Sequence, residues 1–192
     1  MKIATLLMTH AYPELTLDTL ESIQTYISND YLVLVDGATF DNFSTDKFDK
    51  TKIIKGFVHG HKNSPYRNSL LGMKALYEKY PKCDWYLYTE YDCIFTSSKF
   101  KQDLVGDNLW MCGHAFKGFP GKKITKLSEI TDLNIGGVYH LLGCCIFMKN
   151  DFLKKMKENN LFGKLIEKTK DYEKGFFPTS EWCMPFEEFL WA

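Results

Sequence analysis

The sequence predicts an α/β domain in which helices cover an open, largely parallel sheet. In the first half of the chain, short apolar segments alternate with segments whose apolar residues recur at helical spacing, in the order β-α-β-β-α-β. A length of 192 residues suits one domain with a sizeable core. No internal repeat or linker divides the chain. We therefore expect ligands beyond the carboxyl ends of the strands, where open parallel sheets bind them.

Four strands and two helices are predicted in this half. The predicted strands cover residues 3–8, 31–36 and 53–58, and a fourth, aromatic strand runs from residue 84 into Glu90. Pro13 begins the first helix, and its apolar residues share one face: Leu17, Leu20, Ile23 and Ile27. The second helix begins at Pro65 after the cap residue Ser64 and is stopped by Pro81.

The second half of the chain is less regular. Residues 109–113 and 143–148 are predicted to be strands, and Asn150 is expected to cap the helix that follows. Between them, residues 117–123 form a loop rich in glycine, lysine and proline. Four aromatic residues are candidates for a wall that stacks on sugar rings: Tyr139, Phe176, Phe177 and Trp182.

Composition narrows the class of protein. The 24 basic and 24 acidic residues balance and form no basic block, so nucleic acid is not an expected partner. Six cysteines without a C-x-x-C pair lie mostly in apolar runs, which indicates buried thiols in a reducing compartment. No signal peptide is apparent, and the longest apolar stretch, residues 133–148, is too short and polar to span a bilayer. We expect a cytoplasmic protein. The apolar stretch before Ala192 has no closing turn signal, which would fit the N-terminal domain of a longer polypeptide.

An acidic pair follows the fourth strand. Side chains two apart on an extended backbone point the same way, so Glu90 and Asp92 could present both carboxylates to one hard divalent cation. Mg²⁺ and Mn²⁺ prefer such oxygen ligands and leave positions for substrate phosphates. His114 and His140 are candidates for a third ligand. The alternative is an ordinary solvated strand end, since an acid-x-acid triplet is common.

Polar residues also follow the other predicted strands. Thr9 and His10 come after the first strand, Asp36 ends the second, and Arg67 with Asn68 opens the second helix. In this order, and together with the acidic pair, these residues resemble the GT-A-type nucleotide-sugar glycosyltransferases. The resemblance covers most of the chain. It extends loosely to the soluble glycosyltransferases of large algal viruses, which modify capsid proteins.

The resemblance implies a single GT-A-like, Rossmann-like domain over residues 1–192. Residues 1–95 would be its nucleotide-binding half and residues 96–192 its acceptor-side half, to which Gly136-Gly137 and the 143–148 strand would belong. It further implies that these residues contact the nucleotide: Thr9, His10, Asp36 and Arg67. Asp92 with Glu90 would hold Mn²⁺ or Mg²⁺. Because the family usually has Asp at the first position of the motif, Glu90 could instead contact the ribose or a water.

The resemblance also places an acidic catalytic base near Glu181, which lies in the segment 179–182. Glu187 and Glu188 follow closely as competitors. A Ser-Glu pair also starts helices, where an acid favours the positive end of the dipole, so a structural role stays open. A base at Glu181 would give a product of inverted configuration. Without a carboxylate at the reacting carbon, a retaining route is the better interpretation.

The implied activity is metal-dependent transfer of a sugar from a nucleoside diphosphate sugar, with UDP expected, to a hydroxyl of a glycan or glycoprotein. A sugar-phosphate nucleotidylyltransferase is one alternative. That class needs a glycine-rich, basic phosphate loop after the first strand, and residues 9–13 do not form one. The other alternative is a carbohydrate- or nucleotide-binding module without turnover, which the Glu90 departure leaves open.

Overall fold

The computed structural model of the protein describes residues 1–57, 65–105, 111–117 and 139–170. In chain order, its strands and α-helices are β1 (Ile3–Thr9), α1 (Pro13–Tyr26), β2 (Tyr31–Val35), β3 (Ile53–Lys55), α2 (Pro65–Lys79), β4 (Trp85–Glu90), β5 (Met111–Lys117), β6 (Tyr139–Lys149), α3 (Asn150–Glu158) and α4 (Leu161–Lys170). Short 3-10 helices cover residues 40–42, 50–52 and 99–102.

These strands form one sheet in the order β3-β2-β1-β4-β6-β5. The first four strands in this order run parallel, and β6 and β5 are antiparallel to their neighbours. Met8 pairs with Glu90 and Thr9 with Val35, so β1, β2 and β4 end at the same edge, called here the carboxyl edge. The predicted α/β fold with a mostly parallel sheet is confirmed.

Two apolar layers cover the sheet. On one face, Leu6 and Met8 of β1 pack in a cluster with residues of α2, α3 and α4. On the other face, Ile3 and Leu7 pack with residues of α1. All seven residues of β1 are buried, because a central parallel strand is covered on both sides. This explains why apolar residues of β1 occupy both faces of the strand and do not alternate with charged ones.

Most predicted boundaries in the first half agree with the structure within two residues, but the end of β3 differs more. β3 ends at Lys55, although Gly56 N–H still donates to the Val35 carbonyl at 2.8 Å. The final residue predicted for that strand, Val58, lies outside the described residues.

In the second half, β5 ends at Lys117, beyond the predicted residues 109–113, so Lys117 belongs to a strand and not to the predicted 117–123 loop. The start of β6 also differs. β6 begins at Tyr139, four residues before the predicted start, because β5 pairs with its first half. Pairing between strands far apart in the chain leaves little signal in the local sequence.

Asn150 does not cap α3 as predicted. The N-cap residue is Lys149, and α3 begins at Asn150 itself. The Asn150 amide instead donates to the Pro81 carbonyl at 3.1 Å, the Cys83 carbonyl at 2.6 Å and the Tyr86 hydroxyl at 3.2 Å. Its side chain therefore ties the start of α3 to the loop that leads into β4.

The cysteine prediction holds only in part. Cys83 is buried, whereas Cys93, Cys112 and Cys145 are partly exposed, and all four are free thiols. Among the helices that the structure describes, none is long and apolar enough to cross a membrane.

Candidate functional site

Backbone hydrogen bonds continue past the strand ends at the carboxyl edge. The Asp36 N–H donates to the Thr9 carbonyl at 2.8 Å, and the Gly37 N–H donates to the Phe57 carbonyl at 2.9 Å. These bonds hold the segments after β1, β2 and β3 in fixed relation to one another. The backbone that carries the polar residues after these strands is therefore fixed by hydrogen bonds.

Asp36 is held by two hydrogen bonds at this edge. One carboxylate oxygen accepts the Ala38 N–H at 2.8 Å, and the other accepts the Asn68 side-chain amide at 3.3 Å. The carboxylate is half-buried, and each oxygen has lone-pair capacity left for a ligand. A carboxylate that is already oriented loses little rotamer entropy when a ligand binds.

Asn68 is the residue that connects this carboxylate to α2. It is 1% exposed, and its side-chain oxygen accepts the Phe57 N–H at 2.7 Å while its amide donates to Asp36. A Cβ on Gly56 would lie 2.6 Å from that side-chain oxygen, so residue 56 must lack a side chain for this contact to form. The sequence pointed to Asn68 only as part of the Arg67-Asn68 pair. Its role as a link is visible only from contacts 11 and 32 residues away.

Arg67 lies in the first turns of α2. It is 6% exposed, and its guanidinium carbon lies 4.3 Å from the centre of the Phe57 ring. A cation over an aromatic face is a favourable arrangement, and Phe57 follows β3 at the carboxyl edge. The structure therefore brings a positive charge to the same edge as Asp36.

Thr9 and His10 occupy the end of β1. The Thr9 hydroxyl is buried, donates to the Ala11 carbonyl at 2.8 Å and shares a hydrogen bond of 2.9 Å with the Thr16 hydroxyl. Its observed contacts thus shape the loop between β1 and α1. His10 is exposed and meets the Tyr91 ring edge-on, with centroids 5.0 Å apart.

The sequence prediction missed an aromatic group at this edge, formed by His10, Tyr12 and Tyr91. The rings of Tyr12 and Tyr91 stack with centroids 5.9 Å apart and planes 25° apart. Tyr12 has a left-handed backbone, with φ 58°, and its side chain is 57% exposed. Of the aromatic wall that was predicted instead, Phe176, Phe177 and Trp182 lie outside the described residues, and Tyr139 begins β6. The signal for the observed group was the position of each ring just after a strand.

The acidic pair does not have the geometry that the sequence predicted. β4 ends at Glu90, and the Cys93 N–H donates to the Glu90 carbonyl at 3.3 Å, which closes a turn. Asp92 therefore lies in a turn and not on extended backbone, so the two-residue spacing does not by itself align the carboxylates. Both residues still stand at the carboxyl edge, Glu90 half-buried and Asp92 exposed.

This turn is locally acidic. The pKa of Tyr91 is raised, first by burial and then by the nearby Asp92, Tyr12 and Glu90. Within the described residues there is no group of three or more histidine, cysteine or acidic side chains that could hold a metal. Two carboxylates nevertheless fit a hard divalent cation whose remaining positions are taken by water or substrate phosphates. The donor chemistry of Glu90 and Asp92 therefore suits Mn²⁺ or Mg²⁺.

Register also places part of β6 beyond the carboxyl edge. Thr89 pairs with Cys145, and β6 is antiparallel to β4, so residues 139–143 extend past the end of β4 at Glu90. His140 belongs to this extension and His114 to β5. Several other candidates lie outside the described residues: Glu181, Glu187, Glu188, Gly136-Gly137 and the lysines at 122 and 123.

No protein-family model matches the chain, and no curated protein sequence matches it. Among solved structures, it is similar to a mannosyltransferase from Pyrobaculum calidifontis in complex with GDP-Man and Mn²⁺, with 8% identity and a TM-score of 0.45 over 81% of this chain and 46% of that one. It is also similar to the inositol-1-phosphate CTP transferase from T. maritima, with 12% identity and a TM-score of 0.47 over 87% and 80% of the two chains.

A third similar structure is a glycosyltransferase involved in the glycosylation of the major capsid of PBCV-1, with 15% identity and a TM-score of 0.42. The match covers 91% of this chain and 73% of that one. This chain thus spans less than half of the Pyrobaculum calidifontis mannosyltransferase and larger parts of the other two. The solved structures to which this chain is similar thus include two glycosyltransferases and one nucleotidyltransferase.

Proposed function

We propose that the protein is a metal-dependent glycosyltransferase that uses a nucleoside diphosphate sugar. The observation that carries this proposal is the placement of Asp36 and the Glu90–Asp92 turn on opposite sides of β1 at one edge. Neighbouring strands lie about 4.8 Å apart, so the ends of β2 and β4 are about 10 Å apart. A nucleoside diphosphate can bridge such a gap between its nucleoside and its phosphates.

Asp36 would contact the nucleoside. Its carboxylate, oriented by Asn68 and the Ala38 N–H, can accept a hydrogen bond from a ribose hydroxyl or from the base. Thr9 and His10 would border the same pocket, and the charge of Arg67 would favour an anionic ligand nearby. We propose a uracil nucleotide as the donor carrier.

Asp92, with Glu90, would hold Mn²⁺ or Mg²⁺ against the diphosphate. A bound divalent cation stabilises the negative charge that develops on a departing diphosphate. Glu90 has a second possible role, as an acceptor for a ribose hydroxyl or an ordered water. Arg67 and a lysine within residues 117–123 would add positive charge near the same oxygens.

Glu181 would act as the general base toward the acceptor. It would take the proton of an acceptor hydroxyl on a glycan or glycoprotein while that oxygen bonds to the anomeric carbon of the sugar. The bond from this carbon to the diphosphate oxygen breaks, and its electron pair leaves with the diphosphate. The product configuration would be inverted. We place this reaction in the cytoplasm.

Donor hydrolysis tests the proposal. Wild-type protein should release UDP from a UDP-sugar in Mn²⁺ and lose this activity in EDTA, and Asp92→Asn should abolish Mn²⁺-dependent donor binding with the fold intact. Asp84→Asn is a matched control, because this exposed acid lies at the opposite end of β4 and contacts the Lys2 N–H at 2.7 Å. Calorimetry with unchanged Mn²⁺-dependent affinity in Asp92→Asn would remove Asp92 from the site.

Two further measurements separate the alternative functions. Release of pyrophosphate from a nucleoside triphosphate and a sugar phosphate would indicate a nucleotidylyltransferase. Tight nucleotide binding with no turnover on any of the tested donors and acceptors would indicate a binding module.

A further inference from the structure

The buried face of α1 carries hydroxyl groups between its apolar residues. Thr16 and Thr19 are 0% exposed and Ser22 is 8% exposed, beside the buried Leu20 and Ile23. A buried hydroxyl without a hydrogen-bond partner is unfavourable, so each of these groups must have a specific role in packing or bonding. Their partners identify that role.

Two of the three hydroxyls bind a segment far away in sequence. The Thr19 hydroxyl donates to the Tyr91 carbonyl at 2.5 Å, and the Phe95 N–H donates to the Ser22 hydroxyl oxygen at 3.1 Å. These partners are 72 and 73 residues apart. The Ser22 hydroxyl also donates to the Thr19 carbonyl at 2.7 Å, which links the two contacts. Thr16, by contrast, bonds locally to Thr9 and the Tyr12 carbonyl.

The two contacts lie on either side of Asp92. Thr19 fixes the residue before it, and Ser22 fixes a residue three positions after it. Around Asp92, the Cys93 N–H bond to the Glu90 carbonyl closes the turn, and the Tyr91 ring contacts the rings of His10 and Tyr12. Asp92 itself is exposed. The segment is thus fastened at both ends while its carboxylate stays open to a ligand.

We propose that Thr19 and Ser22 are positioning residues that hold the Asp92 carboxylate in place for a divalent cation. This inference rests on the proposed function, in which Asp92 binds the metal. A turn with no such contacts would have to be ordered when the cation binds, and that entropic cost would weaken binding. Residues that support metal ligands from behind typically change metal affinity by about 10-fold to 100-fold when mutated.

The test compares variants that differ in a single hydroxyl. Thr19→Val removes the donor to Tyr91 at nearly constant volume, and Thr19→Ser keeps it. Thr25→Val is the matched control on the same helix, because the exposed Thr25 hydroxyl donates to the Glu21 carbonyl of its own helix and has no other recorded bond within the part of the chain that the structure describes. Ser22→Ala provides a second route if Thr19→Val fails to fold. The readouts are Mn²⁺ affinity, from the electron paramagnetic resonance signal of free Mn²⁺ with and without UDP, and hydrogen exchange of residues 91–95.

Thr19→Val and Ser22→Ala should each weaken Mn²⁺ binding by about 10-fold and speed exchange in residues 91–95. Thr19→Ser and Thr25→Val should stay within about twofold of wild type, a rescue that general destabilisation would not produce. Faster exchange with unchanged Mn²⁺ affinity would overturn the positioning role and leave the proposed function intact. A wild-type protein that binds no Mn²⁺, with or without UDP, would overturn both.

Discussion

At the residue scale, the half-buried carboxylate of Asp36 is held by two hydrogen bonds. Its carboxylate is bonded by Ala38 and Asn68, and Asn68 is in turn fixed by the Phe57 N–H. The Asn68 amide thus links the position of α2 to Asp36, the residue that we propose contacts the nucleoside. If Asp36 contacts the ligand, the orientation that Asn68 gives its carboxylate contributes to ligand affinity. The contribution of Asn68 can therefore be tested separately from the contact between Asp36 and the ligand.

Asp36→Ala should weaken binding of free UDP and of the whole UDP-sugar alike, because Asp36 would contact the nucleoside. Asn68→Asp keeps the acceptor for Phe57 but replaces the donor with a carboxylate oxygen that repels Asp36, so UDP affinity should fall by about 10-fold. In the Asp36→Ala background the same change should have little further effect, which calorimetric double-mutant cycles would measure.

Asn159→Asp is the charge control for this cycle, because it adds one acid at an exposed position at the end of α3. Equal losses from Asn68→Asp with and without Asp36 would show a purely structural effect. If only the sugar-bearing ligand were affected by Asp36→Ala, Asp36 would belong to the sugar pocket.

Glu181 is the predicted base, and its substitution has a kinetic signature. Glu181→Gln keeps the size of the side chain and removes its basicity, so turnover should fall by about two to four orders of magnitude with donor affinity nearly unchanged. Glu187→Gln and Glu188→Gln are the comparison variants. A Glu181→Gln enzyme with most of its turnover, or a wild-type product of retained configuration, would remove Glu181 from the mechanism.

At the scale of elements, helix α2 approaches the sheet closely at Gly72. A Cβ at this position would lie 2.6 Å and 2.7 Å from the two methyl carbons of Leu6, which is fully buried in β1. The absence of a side chain lets α2 lie directly on β1 and places Arg67 and Asn68 at the carboxyl edge. Packing between these two elements therefore helps to set the geometry of the site.

Gly72→Ala should destabilise the fold by about 1–2 kcal/mol, because overpacking in a close-packed core outweighs the gain in helix propensity of about 1 kcal/mol. Leu6→Val shortens the facing side chain, so the double variant should be more stable than the sum of the two single changes predicts. Urea denaturation measures both quantities. Additive effects would show that Leu6 is not the residue that resists the added methyl group.

At the scale of the whole molecule, buried ionisable groups near the start of β4 should lower the stability of the fold at alkaline pH. Burial raises the pKa of the Cys83 thiol from 9.0 to about 11, with smaller contributions from Asp30 and Asp84. Burial also raises the pKa of Tyr86, and neighbouring Cys83 and Tyr77 act in the same direction. The unfolded chain therefore releases these protons at lower pH than the folded protein does.

Stability should be fully present below pH 9 and fall as the pH rises toward 11, because over this range the unfolded state has lost the Cys83 proton and the folded state has kept it. Each pKa unit corresponds to about 1.4 kcal/mol, so the thiol would contribute at most about 3 kcal/mol to this loss. Urea midpoints at pH 7.5 and pH 10.5 should drop less in Cys83→Ala than in wild type. Parallel drops in the two proteins would assign the loss to other groups.

The sequence by itself determined the strands β1, β2 and β4, the helices α1 and α2, and the set of polar residues at the carboxyl edge. Apolar runs and helical periodicity are local signals, and Pro13, Pro65 and Pro81 mark boundaries through their own backbone restrictions. The common location of Thr9, Asp36 and Glu90 follows directly, because parallel strands end at the same edge of a sheet.

Only the tertiary structure decided how these residues are held. The antiparallel pairing of β5 and β6, the link from Asn68 to Asp36, and the contact from Thr19 to Tyr91 join segments far apart in the chain. The turn after Glu90 also replaced the extended geometry expected of Asp92. Such contacts depend on which helix packs on which strand. A local residue pattern does not contain that information, because the packing of the whole sheet determines which segments meet.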